Sequence, residues 1–289
     1  MSLDIDALRP WVGRLESATE VLREAPLRAL SATLDRDDPP PGPGDALPAG
    51  AHWLYFLPSH RQSELGPDGH PRRGGFLPPV PLPRRMWAGG RLELRHPLRA
   101  GTAVTRTSRI AAVELKPGRS GPLVFVRVRH ELADEAGVAL VEEQDIVYRD
   151  TPGKGEAAAS PAASPSPEPG TARWTRSLEP DEAMLFRYSA LTFNAHRIHY
   201  DQPYATQVEG YPGLVVHGPL VATLLLDLLR REWPAATLQH FDFRALGPLF
   251  ARQPLQLCGR PDPAAGTVAL WACGPGGHLA MQARAQVQA

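Results

Sequence analysis

The spacing of apolar residues in the first half of the chain predicts one helical segment followed by several strands. Trp11–Leu34 is predicted to be helical, and the aromatic run Trp53–Leu57 comes after a loop rich in proline and glycine. Short apolar runs bounded by turn residues are typical of strands. Four such runs follow, at Arg91–Leu98, Thr102–Leu115, Pro122–Leu132 and Val138–Tyr148.

The second half repeats this order of elements with a more apolar helix. Pro180–Leu191 is predicted to be a helix, and another is predicted from about Pro219 to Arg231, where proline suits the first turn. This second helix is apolar on almost every side, so we expect other elements to enclose it. Four strand-like runs close the chain, at Leu238–Leu249, Pro254–Arg260, Gly266–Cys273 and His278–Val287.

A segment of low hydrophobicity separates the two halves. Residues 151–172 contain five prolines and no apolar side chain larger than alanine. Such a segment buries too little area to offset the entropy of ordering it, which predicts an exposed, flexible linker. The predicted organisation is residues 1–150, the linker and residues 173–289. Helices followed by antiparallel strands in both halves predict an α+β protein with two sheets, each wrapped around a central helix.

The composition of the chain limits which partners the protein is expected to bind and in which cellular compartment it is expected to lie. The 289 residues carry no formal net charge, which argues against nucleic acid as a partner. Two cysteines, Cys258 and Cys273, make no disulfide framework and have no metal-ligand spacing to histidines. The acidic N-terminus lacks the profile of a secretory signal, and the apolar run Leu220–Leu229 is too short to span a bilayer. We therefore expect a cytoplasmic protein without a membrane partner.

The chemistry-bearing residues are concentrated in Phe193–Asp201 and at the start of the second long helix. His199 can act as both base and acid near neutral pH. The N–H of Gly218, at the helix start, can stabilise a developing oxyanion, whereas Pro219 has no N–H. An acid/base beside an oxyanion site predicts chemistry next to a carbonyl group.

These residues resemble the hydratase-2 motif of the MaoC-like (R)-specific enoyl-CoA hydratases and dehydratases, Asp-x-Asn-Pro-Ile/Leu-His. His199 falls on the catalytic histidine of the motif, Asn194 falls on its aspartate, and Ala205 is the small residue further on. His217–Leu220 is similar to the His-Gly-Met-Leu start of the central helix of that family's hot-dog fold.

Segments of the first half resemble the FAS1-like double hot-dog dehydratase branch, which includes mesaconyl-C4-CoA and itaconyl-CoA hydratases and a mitochondrial 3-hydroxyacyl-thioester dehydratase. The resemblance implies a double hot-dog fold with a degenerate, non-catalytic N-terminal half. It also implies a homodimer that needs neither metal nor cofactor, since CoA is part of the substrate. The similar segments are Gly69–Pro71, Gly74–Val80, Leu82–Gly90 and Glu142–Tyr148.

Asn194 is the position where this chain departs from the broad motif. An amide can orient water but cannot exchange a proton as a carboxylate does. Either His199 performs both proton transfers while Asn194 positions the water, or Asp201, Tyr188 or His196 takes over one transfer. The first alternative is favoured, with His199, Asn194 and Gly218 as the catalytic set.

Five residues are candidates for substrate binding. Arginines attract phosphates and carboxylates, so we expect Arg84, Arg85 or Arg197 to bind a CoA phosphate or the far carboxylate of the substrate. Tyr188 and His217 are expected to line the site. Three histidines of the first half stay unassigned, namely His52, His60 and His70.

The expected function is reversible hydration of an enoyl-CoA thioester. A C5 dicarboxylic ester, mesaconyl-C4-CoA or itaconyl-CoA giving citramalyl-CoA, is the preferred substrate. The first alternative is dehydration of a 3-hydroxyacyl-CoA or acyl-carrier-protein thioester in fatty-acyl metabolism. A non-catalytic acyl-CoA-binding protein is the second alternative, and it predicts thioester binding without turnover.

Overall fold

The computed structural model describes residues 3–118, 121–150 and 172–288. The three helices are α1 (Glu24–Thr33), α2 (Glu182–Thr192) and α3 (Gly218–Glu232). The strands of the first half are β1 (Leu15–Val21), β2 (Arg84–Leu94), β3 (Ala103–Gly118), β4 (Gly121–Asp134) and β5 (Gly137–Arg149). The strands of the second half are β6 (Trp174–Leu178), β7 (Thr237–Ala245), β8 (Leu255–Asp262), β9 (Thr267–Cys273) and β10 (Leu279–Gln288).

All ten strands form one antiparallel sheet, where the sequence predicted two. Their order is β1-β3-β4-β5-β2-β7-β10-β9-β8-β6. The strands of the two halves meet where β2 pairs with β7, with Leu92 opposite Phe241. The predicted two-sheet arrangement is therefore corrected to one continuous sheet, because the edge strands of the two halves hydrogen-bond to each other. The predicted α+β class is confirmed.

Two glycines allow the halves to approach closely at this pairing. A Cβ atom on Gly89 would lie 2.5 Å from the carbonyl oxygen of Phe243, and one on Gly90 would lie 2.8 Å from the ring of Phe243. Only residues without a side chain fit at such separations. The Gly89–Gly90 pair of β2 therefore permits the sheet to continue from one half into the other.

The strand interiors follow the two-residue periodicity of a sheet with one buried face. In β4, the residues Val124, Val126, Val128, His130 and Leu132 are all buried and alternate with more exposed neighbours. The predicted strands of both halves are confirmed, with boundaries shifted by a few residues.

Helix α3 is the central element of the second half. Its residues from Leu220 to Leu229 are all buried, and the helix packs against β6, β8, β9, β10 and β2. Helix α2 begins at the cap Asp181, whose side chain accepts a hydrogen bond from the N–H of Met184 at 2.8 Å. Both helices predicted for this half are confirmed.

The prediction of a helix over Trp11–Leu34 was wrong for its first part. Leu15–Val21 is the edge strand β1, which pairs with β3, and only Glu24–Thr33 is helical. Six of the seven β1 residues are exposed, so the strand lacks the apolar alternation that marks a half-buried strand. Its pairing with residues about 90 positions away determines its conformation.

The predicted linker lies outside the described residues, apart from its last position. The division of the chain into three segments therefore stays a prediction. Within the described ranges, every helix is too short or too polar to cross a membrane.

Candidate active site

The motif residues lie in a loop that begins at the end of α2. Phe193 adopts a left-handed conformation (φ 48°) and turns the chain out of the helix. A short 3₁₀ turn, Arg197–His199, follows. The Arg197 side chain donates hydrogen bonds to Asp201 at 2.7 and 2.9 Å, which closes the loop.

His199 is buried and held in a single tautomer. Its Nδ1 lies 2.7 Å from the carbonyl oxygen of Val215. A carbonyl only accepts hydrogen bonds, so Nδ1 carries the proton and Nε2 keeps its lone pair. Burial lowers the pKa of His199 to about 4, although the Val215 carbonyl opposes this shift. The imidazole is therefore neutral at neutral pH, with Nε2 ready to accept a proton.

The side chain of His217 packs against that of His199. The two rings stack at a centroid distance of 3.6 Å with an angle of 19° between their planes. Nε2 of His217 lies 2.8 Å from the hydroxyl of Ser189, and burial holds the pKa of His217 well below its ordinary value. The side chain is completely buried and lies outside the cavity lining. Its geometry supports packing against His199; its predicted contact with substrate stays a prediction.

Gly218 begins α3 and lines the same cavity as His199. A Cβ atom at this position would meet only the carbonyl oxygen of Trp87, at 3.9 Å, so the space beside it is open. Because the first N–H groups of a helix have no partner within the helix, the Gly218 N–H can donate to a substrate oxygen. The acid/base and the oxyanion donor predicted from the sequence therefore share one cavity.

Asn194 also lines the cavity, but its carbonyl oxygen is already engaged. Oδ1 accepts a hydrogen bond from the backbone N–H of His196 at 3.0 Å. The Nδ2 group of an amide can only donate. Asn194 can therefore donate a hydrogen bond to a water or a thioester oxygen, and its predicted catalytic role stays a prediction.

A cavity of about 1440 Å³ extends from this loop into the first half of the chain. Residues of β3, β4 and β5 contribute to its wall, together with the motif loop and the start of α3. Polar side chains contributed by the first half include Ser108, His130 and Gln144. The cavity is thus shared between the halves.

The four remaining binding candidates differ in their surroundings. Tyr188 lines the cavity but is 1% exposed, with its hydroxyl 3.3 Å from that of Thr223. Arg197 lies outside the lining, and its guanidinium also donates to the Pro67 carbonyl at 2.9 Å. The geometry therefore makes Arg197 a structural link in the loop, which does not favour its predicted contact with substrate.

Arg84 and Arg85 both line the cavity, but only one has an acidic partner. Arg84 forms an ion pair with Glu209 at 2.9 Å. Arg85 has no ion pair with any carboxylate of the described residues. Its positive charge contributes to the lowered pKa of His70 and of His196, after the larger effect of their burial. Arg85 is thus a cation near the histidines that pairs with no carboxylate of the described residues.

Sequence reasoning left His70 unassigned and did not single out Asp68. The structure brings both to the motif loop, where the rings of His70 and His196 lie 4.0 Å apart. One ligand atom from each of Asp68, His70 and His196 lies within 4.8 Å of the others, so the three could hold a metal ion. The short spacing Asp68-Gly69-His70 was a signal for a hydrogen-bonded pair. The expected absence of metal and cofactor stays a prediction.

Glu142 is a structural acid in the wall of the cavity. It is 3% exposed, and it accepts a hydrogen bond from Trp53 at 2.8 Å and lies 3.3 Å from His52. Burial by itself would raise the pKa of Glu142, but the charge and hydrogen bond of His52 lower it to about 2. The carboxylate is therefore fixed in its charged form on β5, in keeping with the predicted strand position.

Comparison with known proteins agrees with this arrangement. The family model for hydroxyacyl-thioester dehydratase type 2 matches residues 50–251. The chain is 46% identical to a mesaconyl-C(4)-CoA hydratase of Chloroflexus aurantiacus over 277 residues, which cover 96% of each protein. It is 30% identical to a mitochondrial hydroxyacyl-thioester dehydratase type 2 of Schizosaccharomyces pombe, over 83% of this chain and 88% of the relative.

Solved structures support the fold. A MaoC-like dehydratase superposes with a TM-score of 0.72 at 15% identity, covering 97% of this chain and 99% of the other. A Mycobacterium tuberculosis protein described as having a double hotdog fold superposes with a TM-score of 0.57 at 15% identity, covering 96% of each chain. The predicted double hot-dog fold is confirmed. With its family-model match and its near full-length relative, this chain belongs to the hydroxyacyl-thioester dehydratase type 2 family and is a hydro-lyase.

Proposed function

We propose that this hydro-lyase adds water reversibly to the double bond of an enoyl-CoA thioester, with mesaconyl-C4-CoA as its preferred substrate. The observation that carries the proposal is the position of His199. Its Nδ1–H is bound to Val215, its Nε2 is unprotonated, and it lines the same cavity as the N–H of Gly218. A base and an oxyanion donor in one cavity meet the requirements of conjugate addition.

The proposed reaction needs only one proton carrier. As the water oxygen bonds to the β-carbon, one O–H bond breaks and its proton moves to Nε2 of His199. The π electrons move to the thioester oxygen, where the Gly218 N–H stabilises the enolate. When the enolate collapses, Nε2 returns the proton to the α-carbon. His199 ends in its starting state, so neither an oxidant nor a further acid is consumed.

The C5 dicarboxylic substrate places a specific demand on the site. In mesaconyl-C4-CoA the free carboxylate is attached to the carbon that receives the water. A cation that binds this carboxylate must therefore lie beside the catalytic histidine. Arg85 fits this demand because it lines the cavity near His70 and His196 without an acidic partner among the described residues. The 46% identity to a mesaconyl-C(4)-CoA hydratase supports the same substrate.

The test follows loss of the conjugated enoyl-thioester absorbance with mesaconyl-C4-CoA and crotonyl-CoA, and formation of the hydrated CoA ester by liquid chromatography with itaconyl-CoA, whose double bond is not conjugated to the thioester. Faster loss with a dicarboxylic ester than with crotonyl-CoA is expected. Preference for crotonyl-CoA would refute the substrate assignment while leaving the reaction class intact. Binding of all three esters without turnover would refute the reaction and favour a non-catalytic acyl-CoA-binding protein.

Replacement of Arg85 separates carboxylate recognition from chemistry. Arg85→Gln should lower kcat/KM for mesaconyl-C4-CoA about 10- to 100-fold, because a hydrogen bond to a charged group contributes about 1.5–3 kcal/mol. The rate with crotonyl-CoA, which lacks the carboxylate, should change little. Arg95→Gln is the control, since Arg95 pairs with Glu93 on the surface and lies outside the cavity lining. Equal losses with both esters would contradict the assigned role of Arg85.

A second candidate function is dehydration of a 3-hydroxyacyl thioester without a second carboxylate. The observation in its favour is the 30% identity to the mitochondrial dehydratase of Schizosaccharomyces pombe. It uses the same His199 and Gly218 and requires no cation beside them, so the Arg85 comparison distinguishes the two.

We also propose that the enzyme is a cytoplasmic homodimer. Support for a dimer comes from the exposed edge strand β1, whose outer hydrogen-bonding groups are available for pairing. Light scattering coupled to gel filtration measures the molar mass directly.

A further inference from the structure

A turn of the first half, residues 67–70, is hydrogen-bonded to the catalytic loop of the second half, residues 193–201. The backbone N–H of Arg197 donates to the carbonyl oxygen of Asp68 at 2.9 Å, and the Arg197 guanidinium donates to that of Pro67 at 2.9 Å. A Cβ atom on Gly69, which has a φ of 88°, would lie 1.8 Å from the carbonyl oxygen of Ala195. Only glycine fits at this contact, so the turn sits in a fixed position against the loop.

This turn presents His70 in one defined tautomer. Nδ1 of His70 lies 3.0 Å from Oδ2 of Asp68, and Oδ1 of Asp68 accepts the backbone N–H of His70 at 3.0 Å. Burial alone would raise the pKa of Asp68, but the hydrogen bonds and charge of His70 hold that pKa well below its ordinary value. An ionised carboxylate only accepts hydrogen bonds, so Nδ1 carries the proton and Nε2 is left as an acceptor.

His70 lies where its free ring nitrogen can bind a molecule in the catalytic cavity. It lines the cavity, and no hydrogen bond from another described residue reaches its Nε2. Its ring lies 4.0 Å from that of His196, which lies 5.4 Å from that of His199. Three imidazoles from the two halves therefore form one contiguous row that ends at His199.

The catalytic loop of this chain lacks the carboxylate that could accept the second hydrogen bond of the water. A water molecule has two O–H bonds, and Nε2 of His199 accepts only one. The broad motif supplies a second acceptor as a carboxylate at the position of Asn194. Here Oδ1 of Asn194 already accepts the N–H of His196, which leaves it one free lone pair, and its Nδ2 only donates.

We propose that His70, oriented by Asp68, is a catalytic residue whose Nε2 accepts the second hydrogen bond of the reacting water. The inference requires that the enzyme hydrates an enoyl thioester, as proposed above, but it does not depend on which acyl group the substrate carries. During attack, the proton of one O–H bond moves to His199 and returns to the α-carbon, as above. The other O–H bond stays intact, pointing at His70, and becomes the hydroxyl of the product. The degenerate half thus contributes a residue to the chemistry.

Three variants test this assignment on whichever thioester the parent enzyme hydrates. His70→Ala should lower kcat about 100-fold with KM within about threefold, because the water loses the group that orients it, and misplacing a reacting group by about 1 Å can cost about 100-fold. Added imidazole should restore at least a tenth of the lost rate, and His70→Gln, whose amide oxygen can accept the bond, should be faster than His70→Ala. Asp68→Asn should lower kcat about 10-fold.

His96→Ala is the matched control. His96 also binds an aspartate of the first half, with Nε2 3.1 Å from Asp134, but it lies outside the cavity lining. Its turnover should equal that of the parent. This comparison distinguishes a catalytic dyad from the general loss of an Asp–His pair.

Several outcomes would overturn the assignment. One is turnover within threefold of the parent in His70→Ala; another is a loss that neither imidazole nor glutamine reduces, which marks a purely structural residue. A parent enzyme that loses turnover on dialysis against a chelator and regains it with Zn²⁺ would make Asp68, His70 and His196 a metal site instead. A parent that hydrates no thioester refutes the proposed function first, before any variant is measured.

Discussion

At the scale of single residues, the environment of His199 determines its chemistry. The Val215 carbonyl selects the tautomer, and stacking on His217 fixes the plane of the ring. Burial lowers the pKa of His199 to about 4, so the base is neutral over the whole physiological range. The sequence motif identifies which histidine acts, whereas its tautomer comes from Val215, 16 positions away, and its lowered pKa comes from its burial in the folded chain.

His199→Gln should lower kcat by a factor of about 10² to 10⁴, because the amide cannot accept and return a proton. The glutamine roughly preserves the size of the side chain, so the thermal unfolding transition should stay close to that of the parent. His278→Gln is the control, since Nδ1 of His278 also lies near a backbone carbonyl, that of Pro275 at 2.9 Å, but outside the cavity lining. Turnover near the parent value in His199→Gln would refute its role.

Among the elements, helix α3 has two roles: its N-terminus belongs to the candidate active site, and its interior stabilises the fold. Its first residue, Gly218, lines the cavity, while Asp227 in its interior is 4% exposed. Asp227 accepts hydrogen bonds from Arg36 at 2.8 Å, Arg176 at 2.7 Å and Arg231 at 2.7 Å. These arginines come from the segment after α1, from β6 and from α3 itself. The buried carboxylate therefore connects three parts of the fold.

Asp227→Asn should lower the free energy of unfolding by about 3 kcal/mol, since removing one member of a buried ionic cluster leaves its partners uncompensated. Urea unfolding followed by circular dichroism measures the change. The control Glu182→Gln removes the partner of Arg252 in an exposed ion pair, which should cost less than about 1 kcal/mol. Equal effects of the two substitutions would contradict a structural role for Asp227.

At the scale of the whole molecule, buried neutral histidines make stability depend on pH. Burial is the largest cause of the lowered pKa of His130, His199 and His217, all less than 10% exposed. In the unfolded chain a histidine has a pKa of about 6.5. Below that pH the unfolded state binds protons that the folded state does not. The stability that these neutral histidines contribute is therefore complete above about pH 6.5. It is lost as the pH falls towards their pKa values in the folded protein.

Each of these histidines should lower the free energy of unfolding by up to about 1.4 kcal/mol for each pH unit below about pH 6.5. The midpoint of urea unfolding should therefore fall between pH 7 and pH 5, before most carboxylates titrate. Burial also lowers the pKa of His70 and His196, so His130→Gln, which removes one of five such histidines, should make this dependence shallower by about a fifth. An unchanged midpoint from pH 7 to pH 5 would show that these imidazoles are already protonated in the folded protein.

The elements whose conformation depends on their neighbours along the chain could be predicted without the structure. The enclosed helix α3 and most of the strands could be predicted, because their apolar spacing is local. The motif residues Asn194 and His199 and the helix start at Gly218 were also evident, since the chemistry needs these residue types at close spacing. The edge strand β1 was predicted as a helix because its exposed residues carry no alternating pattern.

The contacts between residues far apart in the sequence could be seen only in the folded chain. The pairing of β2 with β7 joins residues about 150 positions apart into one sheet, through contacts that only Gly89 and Gly90 allow. The same long-range packing brings Asp68 and His70 to His196, more than 120 positions later. It also leaves Arg85 without an acidic partner among the described residues while Arg84 pairs with Glu209. Such pairings depend on the three-dimensional path of the backbone, and no local spacing encodes them.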